Sequence, residues 1–216
     1  MRHHNVHLFA WMTVLLLSVP ALSETPATSD VASATHNLEA GPSTRVLVVY
    51  YSRTGNTEQL ARSVIEGAKR VPGVVTLLKT VEETSKEDLE AADGIVLGCP
   101  TYFANLPGAM KAIMDTWNWK MKVDFTDKVG GAFATAGGQV GGQGHVVVSL
   151  LLFMLNNRMI VAGPLYGNEV TGSIWGESGA AAITGPLDPG VSEDELDGGR
   201  RLGERVARLA TRLKRH

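Results

Sequence analysis

The chain has 216 residues, 44% of them hydrophobic, and carries 20 basic against 22 acidic side chains, a net charge of −2. This length suits one domain with appendages rather than two, and the near balance of charge argues against a nucleic-acid binder, which carries a basic patch. The single cysteine, Cys99, excludes an internal disulfide.

Residues 1–23 read as a signal peptide. Arg2 is followed by the 12-residue stretch from Leu8 to Val19, apolar except at Thr13 and Ser18, then by Pro20 and the small-x-small site Ala21-Leu22-Ser23. A membrane span needs about 20 residues, so the expectation is export to the periplasm with removal of this segment. Left uncleaved, it would serve as a membrane anchor. Residues 24–44, rich in Ala, Ser, Thr and Pro, read as a flexible linker. The folded domain is expected over 45–216.

The domain alternates two kinds of pattern. Residues 45–51 form a continuous apolar run, as in a strand covered on both faces. Helical spacing of Leu60, Ala61, Val64, Ile65 and Ala68 marks a helix over 57–70, stopped by Pro72-Gly73. Strands are then predicted at 74–78, 95–99, 129–135 and 159–162, with helices at 85–91, 107–119, 145–157 and 193–213. Strands alternating with helices imply right-handed βαβ units and a parallel sheet. Five strands predict a doubly wound sheet, whose ligand sites lie beyond the carboxyl ends of the strands at the switch point. The loops after Tyr51, Cys99 and Thr135 are therefore the candidates.

The first loop, SRTGNT at 52–57, joins a strand end to a helix start. Free amides at a helix N-terminus attract anions, aided by the helix dipole, and Ser52, Thr54 and Thr57 add hydroxyls. A phosphate is the natural ligand. The loop lacks the Gly-Lys-Ser/Thr ending of a Walker A site and, with Gly55 alone, lacks the dinucleotide fingerprint. Arg53 reads as a solvated surface side chain. In the second loop, Thr101, Tyr102 and Phe103 follow the third strand. Two aromatics there could flank a flat heterocycle or pack into the core. Cys99 reads as a small buried hydrophobe. The third loop, TAGGQVGGQGH at 135–145, is glycine-rich enough for its backbone to approach a ligand closely. His145 reads as a helix-start residue rather than a base or metal ligand.

Together, YYSRTGNT, GCPTYFANLPGAMKAIMD and TAGGQVGG resemble the flavodoxin-like superfamily, and within it the WrbA-type NAD(P)H:quinone oxidoreductases. The likeness runs from about residue 45 to 213. It implies an α/β fold with a five-stranded parallel sheet in the order 2-1-3-4-5. It also implies FMN, with its phosphate on Ser52, Arg53, Thr54, Gly55, Asn56 and Thr57. Its isoalloxazine would lie against Pro100, Thr101, Tyr102 and Phe103, with further contacts from Thr135, Ala136, Gly137, Gly138 and Gly141. Tyr102 and Trp119, with Trp117 beside them, would face the quinone. The chain departs from the family in three places, one of them a third loop longer by one residue. Only about a dozen residues link Lys79 to Asp93, where the family commonly carries an extra segment that helps build its tetramer. Asn156 stands where the family places a histidine near the flavin.

The activity implied is two-electron hydride transfer from NADH or NADPH, through flavin N5, to a quinone. The flavin carries the chemistry and no side chain need act as a nucleophile. The likeness further implies a homo-oligomer, dimer or tetramer. A one-electron flavodoxin-type carrier is the competing reading. Such carriers tend to be strongly acidic, which steers them to basic partners, and this chain is close to neutral. A module in which FMN is only structural stays open.

Overall fold

The computed structural model describes residues 43–167, 176–185 and 187–214. The signal peptide at 1–23 and nearly all of the linker at 24–44 lie outside these residues.

The elements are β1 (Thr44–Tyr50), α1 (Asn56–Lys69), β2 (Val74–Thr80), α2 (Lys86–Ala91), β3 (Gly94–Pro100), α3 (Gly108–Trp119), β4 (Val129–Ala136), α4 (Gln143–Asn156), β5 (Ile160–Val161), β6 (Ala180–Ile183) and α5 (Glu193–Lys214). The strand order is β2-β1-β3-β4-β5, with β6 also paired to β4 and every pairing parallel. The expected 2-1-3-4-5 order therefore holds.

The fifth position differs in detail from the sequence reading. Val129 and Gly130 of β4 face β5, while Phe133 to Ala136 face β6. The strand predicted at 159–162 is thus only its first part. The second part, AAAI, has small side chains and little β-propensity, so nothing local marks it as a strand.

Alternation along the strands builds two cores. Val46, Val48 and Tyr50 of β1 join Leu60 and Val64 of α1 and Leu202 and Val206 of α5 on one face. Leu47 and Val49 point to the other face, with Leu89, Met110, Met114, Trp117 and Leu150 from α2, α3 and α4. This is the period-2 geometry of a strand buried on both sides. Helices α1 and α5 pack backbone to backbone. A Cβ on Gly203 would lie 1.9 Å from the Val64 carbonyl oxygen, and one on Gly67 1.8 Å from that of Arg200.

Helix starts follow local chemistry. Ser85 caps α2 in a reciprocal capping box with Asp88. Glu193, Asp194 and Glu195 open α5, and Arg212 and Lys214 close it, matching the helix dipole. Because all strands run parallel, β1, β3, β4 and β6 end at one edge of the sheet. Four loops meet there, one more than the sequence analysis singled out.

Candidate functional site

At the first loop, Gly55 is the N-cap of α1 with φ 95°, and no side chain caps the helix. Its left-handed backbone is one that glycine adopts without steric cost. Ser52 Oγ accepts a hydrogen bond from the Gly55 amide at 3.2 Å. Ser52 therefore shapes the turn, with its own hydroxyl proton left free. The amides of Asn56, Thr57 and Glu58 at the helix start have no side-chain cap, an arrangement that attracts anions. Thr57, in the first turn, shares a 2.8 Å hydrogen bond with the hydroxyl of Thr135 at the end of β4. Both threonines are buried. One hydroxyl donates within the pair, which leaves the other proton free for a ligand.

These groups line a cavity of about 370 Å³ formed by Arg53, Thr54, Asn56, Thr57, Pro100, Thr101, Tyr102, Thr135, Ala136, Gly137 and Thr184. Ten of these residues were expected from the sequence. Thr184 was not, because it belongs to the unrecognised loop after β6, where its amide donates to Ala136 O at 2.9 Å. The motif that could have revealed it is the Ile-Thr-Gly ending of an apolar run.

Ser52, Gly55, Phe103, Gly138 and Gly141, also expected at the cofactor, do not line this cavity. Gly138 and Gly141 close a turn ahead of α4, the Gly141 amide donating to Gly138 O at 2.9 Å. Phe103 stands fully in solvent at the tip of a two-residue hairpin, in which the backbones of Tyr102 and Asn105 exchange both hydrogen bonds. Phe103 and Ala104 have φ of 50° and 60°. A turn with two positive φ values usually carries Asn-Gly, so two ordinary side chains occupy strained backbone here. The neighbouring loop supports the turn: a Cβ on Gly142 would come within 2.7 Å of Ala104 Cα. The amides of Thr101 and Tyr102 are taken by Thr135 O and Asn105 O, so neither is spare for a ligand.

Two buried side-chain atoms of this wall, Thr101 Oγ1 and Tyr102 Oη, make no hydrogen bond of good geometry. Burial first, then the nearby Tyr51 hydroxyl, pushes the Tyr102 phenol above its usual pKa, although Arg53 opposes the shift. The Tyr51 and Tyr102 rings meet edge to face at 6.4 Å. Burial pushes the Cys99 thiol up to about 12, so it stays protonated and is no nucleophile at neutral pH. His145 is exposed at the start of α4.

The structure separates the tryptophans from this cavity. Trp117 is fully buried, 6.4 Å from both Phe125 and Phe153, and is a core residue rather than part of a quinone pocket. Trp119 is 74% exposed and lines a second cavity of about 1010 Å³ between α3 and α4, together with Asn105, Leu106, Leu152 and Asn156. Lys122 lies over its ring at 5.6 Å. Helix α3 starts beside the hairpin and ends at Trp119, about 16 Å further along its axis. Within one chain, Tyr102 and Trp119 are not neighbours of one ligand.

Residues 44–169 match the family model described as NADPH-dependent FMN reductase. The chain belongs to this family. It is 34% identical over 202 residues to an NAD(P)H dehydrogenase (quinone) of Solidesulfovibrio magneticus, covering 78% of this chain and 98% of that protein. An NAD(P)H dehydrogenase (quinone) of Geotalea daltonii is 32% identical with the same coverage. Among solved structures, a WrbA-like flavodoxin from Agrobacterium tumefaciens superposes with a TM-score of 0.62 at 24% identity, covering 79% of this chain and 99% of that one. Flavodoxin 1 of Bacillus cereus gives 0.56 at 18%, covering 76% and 98%. These two likenesses speak to the fold alone.

For a member of the FMN reductase family with flavodoxin-like neighbours, FMN is the flavin to be accommodated. The chain offers an uncapped helix start with hydroxyls at one end of the cavity and the unpartnered Thr101 hydroxyl beside aromatic rings at the other. That donor set fits a phosphate ester joined to a flat ring.

Proposed function

We propose that this chain is an FMN-dependent NAD(P)H:quinone oxidoreductase. One observation carries the reading. The uncapped start of α1 and the unpartnered buried hydroxyl of Thr101, with Tyr102 beside it, line one cavity, as a ligand with an anionic end and a polar ring requires. The relatives named as quinone dehydrogenases support it, because this chain spans 98% of their length at more than 30% identity. When bound, the flavin supplies the centre that accepts and returns a hydride. The chain holds and orients it. The α1 amides with Thr54 and Thr57 take the phosphate, Thr101 and Tyr102 meet the ring, and the end of β4 from Thr135 to Gly137 forms the back wall. Arg53, exposed at the rim, adds positive charge where anionic cofactors enter.

The partners proposed are NADH or NADPH, a quinone and a second copy of this chain. Helix α4 leaves Val148, Leu152 and Leu155 exposed on one stripe beside Trp119. A helix apolar on every side belongs in an interior, and another copy would cover this stripe. Any quinone contact by Trp119 would then be made in a neighbouring copy's site. No nucleic-acid partner is proposed, given the balanced charge. Export with removal of residues 1–23 is proposed on the sequence pattern, and the mass of the chain from its native host tests it: an intact Met1 in the cytoplasmic fraction would refute it.

The decisive experiment is the absorbance spectrum of the purified protein, then anaerobic titration with NADH and NADPH and turnover with simple benzoquinones. A flavin spectrum bleached by one equivalent of nicotinamide, with steady quinone reduction, is expected. Bound flavin with no nicotinamide oxidation would overturn the enzyme assignment in favour of a one-electron carrier.

A further inference from the structure

The side-chain amide of Asn56 is fully engaged by its neighbours. Its Nδ2 donates to Asp188 Oδ1 at 2.6 Å and to Thr54 Oγ1 at 3.3 Å, which uses both of its N–H groups. Asn56 can therefore serve a phosphate only through its backbone. Thr54 Oγ1 accepts from Asn56, so its own proton points elsewhere, and Thr54 lines the cavity. Both bonds run outward from Asn56: one N–H is anchored on Asp188, which fixes the orientation of the amide, and the other is thereby aimed at Thr54 Oγ1.

Asp188 is held where it can anchor this amide. It lies in the turn after β6 with φ 48°, in left-handed backbone that asparagine and aspartate tolerate better than most residues. The buried carboxylate of Glu195 ties down both ends of the turn, accepting from the Ile183 amide at 2.6 Å and from the Ser192 amide and hydroxyl at 2.7 and 2.8 Å. The Val191 amide also donates to Gln59 Oε1 of α1 at 3.3 Å.

We propose that Asp188 is a positioning residue for the phosphate end of FMN. Through Asn56 it fixes the Thr54 hydroxyl as a donor to the phosphate. A carboxylate close to an anion site would ordinarily weaken anion binding, but here a side-chain amide stands between them, and what it transmits is orientation, its second N–H held on Thr54 Oγ1. The proposal rests on the reading that the phosphate sits at the start of α1.

The test is the affinity of the purified apoprotein for FMN and for riboflavin, read by quenching of flavin fluorescence. Asp188→Ala should weaken FMN roughly 3- to 10-fold, the scale of one hydrogen bond, and leave riboflavin unchanged. Asp188→Asn keeps an oxygen that accepts from Asn56 and should return FMN affinity to within about twofold of the parent chain. Thr54→Val should match Asp188→Ala, and the double variant should lose no more than Thr54→Val alone, since both act through one bond. Equal losses for FMN and riboflavin would show a merely structural turn and overturn the proposal. So would Asp188→Asn binding as weakly as Asp188→Ala, additive losses in the double variant, or tighter FMN binding when the charge is removed. A parent chain that binds riboflavin as tightly as FMN would overturn the phosphate reading itself, and this proposal with it.

Discussion

The two ends of the cavity are built on opposite principles. At the phosphate end, the one residue with positive φ in the turn is Gly55, which takes that conformation freely, and the hydroxyls are already paired or oriented. At the ring end, the hairpin places Phe103 and Ala104 in left-handed backbone, and the buried Thr101 Oγ1 beside it has no partner. One end is prepared before a ligand arrives. The other holds strain and an unsatisfied group that a ligand could relieve, which is where strain is expected to concentrate in a binding site.

The largest effect should come at the prepared end. Thr57→Val breaks the Thr57–Thr135 hydroxyl pair that offers one free proton to the proposed phosphate, a bond to a charged group worth about 1.5–3 kcal/mol, so FMN should bind roughly 10- to 100-fold more weakly while riboflavin is little affected. Equal losses for both flavins would erase the difference between the two ends. The next effect tests the wall beneath the ring end. Cys99 ends up in the folded state with its pKa raised from 9.0 to about 12. A raised folded-state value means the stabilisation is complete below pH 9 and is lost as pH rises toward 12. Between pH 9 and 10.5 this group should cost about 2 kcal/mol. The urea midpoint should fall over that interval, and Cys99→Ala should flatten the fall. An unchanged slope in the variant would assign the alkaline loss to Tyr50 and Tyr102, whose pKa values burial also raises.

Gly55→Ala should lower stability by about 1–2 kcal/mol, the cost of forcing a Cβ into left-handed backbone, and lower the melting temperature by a few degrees. Ala104→Gly makes the converse change. Relief of strain, partly offset by the extra freedom of glycine in the unfolded chain, should raise stability by about 0.5 kcal/mol and leave the preference for FMN over riboflavin intact. A lower melting temperature in this variant would show that the hairpin holds no strain and would remove the contrast.

Much of the fold was legible because its signals are local. The helical spacing of Leu60, Val64 and Ala68, the apolar runs of β1, β3 and β4, and the glycine between a strand and a helix depend on neighbours within a few residues. The same is true of most of the cavity, since parallel strands carry their terminal residues to one edge. The serine, threonine and glycine turns after β1, β3 and β4 had only to be found at strand ends.

Tertiary structure decided everything that depends on partners far apart in sequence. The pairing of β4 with a second segment, β6, and so the place of Thr184 in the cavity wall, arises across more than forty residues of sequence separation. The link from Asp188 to Asn56 spans 132 positions. Sequence alone assigned the same kind of aromatic role to Trp117 and Trp119, two residues apart on α3. The fold buries the first against Phe125 and Phe153 and leaves the second in solvent. Two positions along a helix is a rotation of about 200°, so one residue meets the sheet and the other faces away. Which face meets the sheet is decided by packing against β3, β4 and α4, not by the residues themselves.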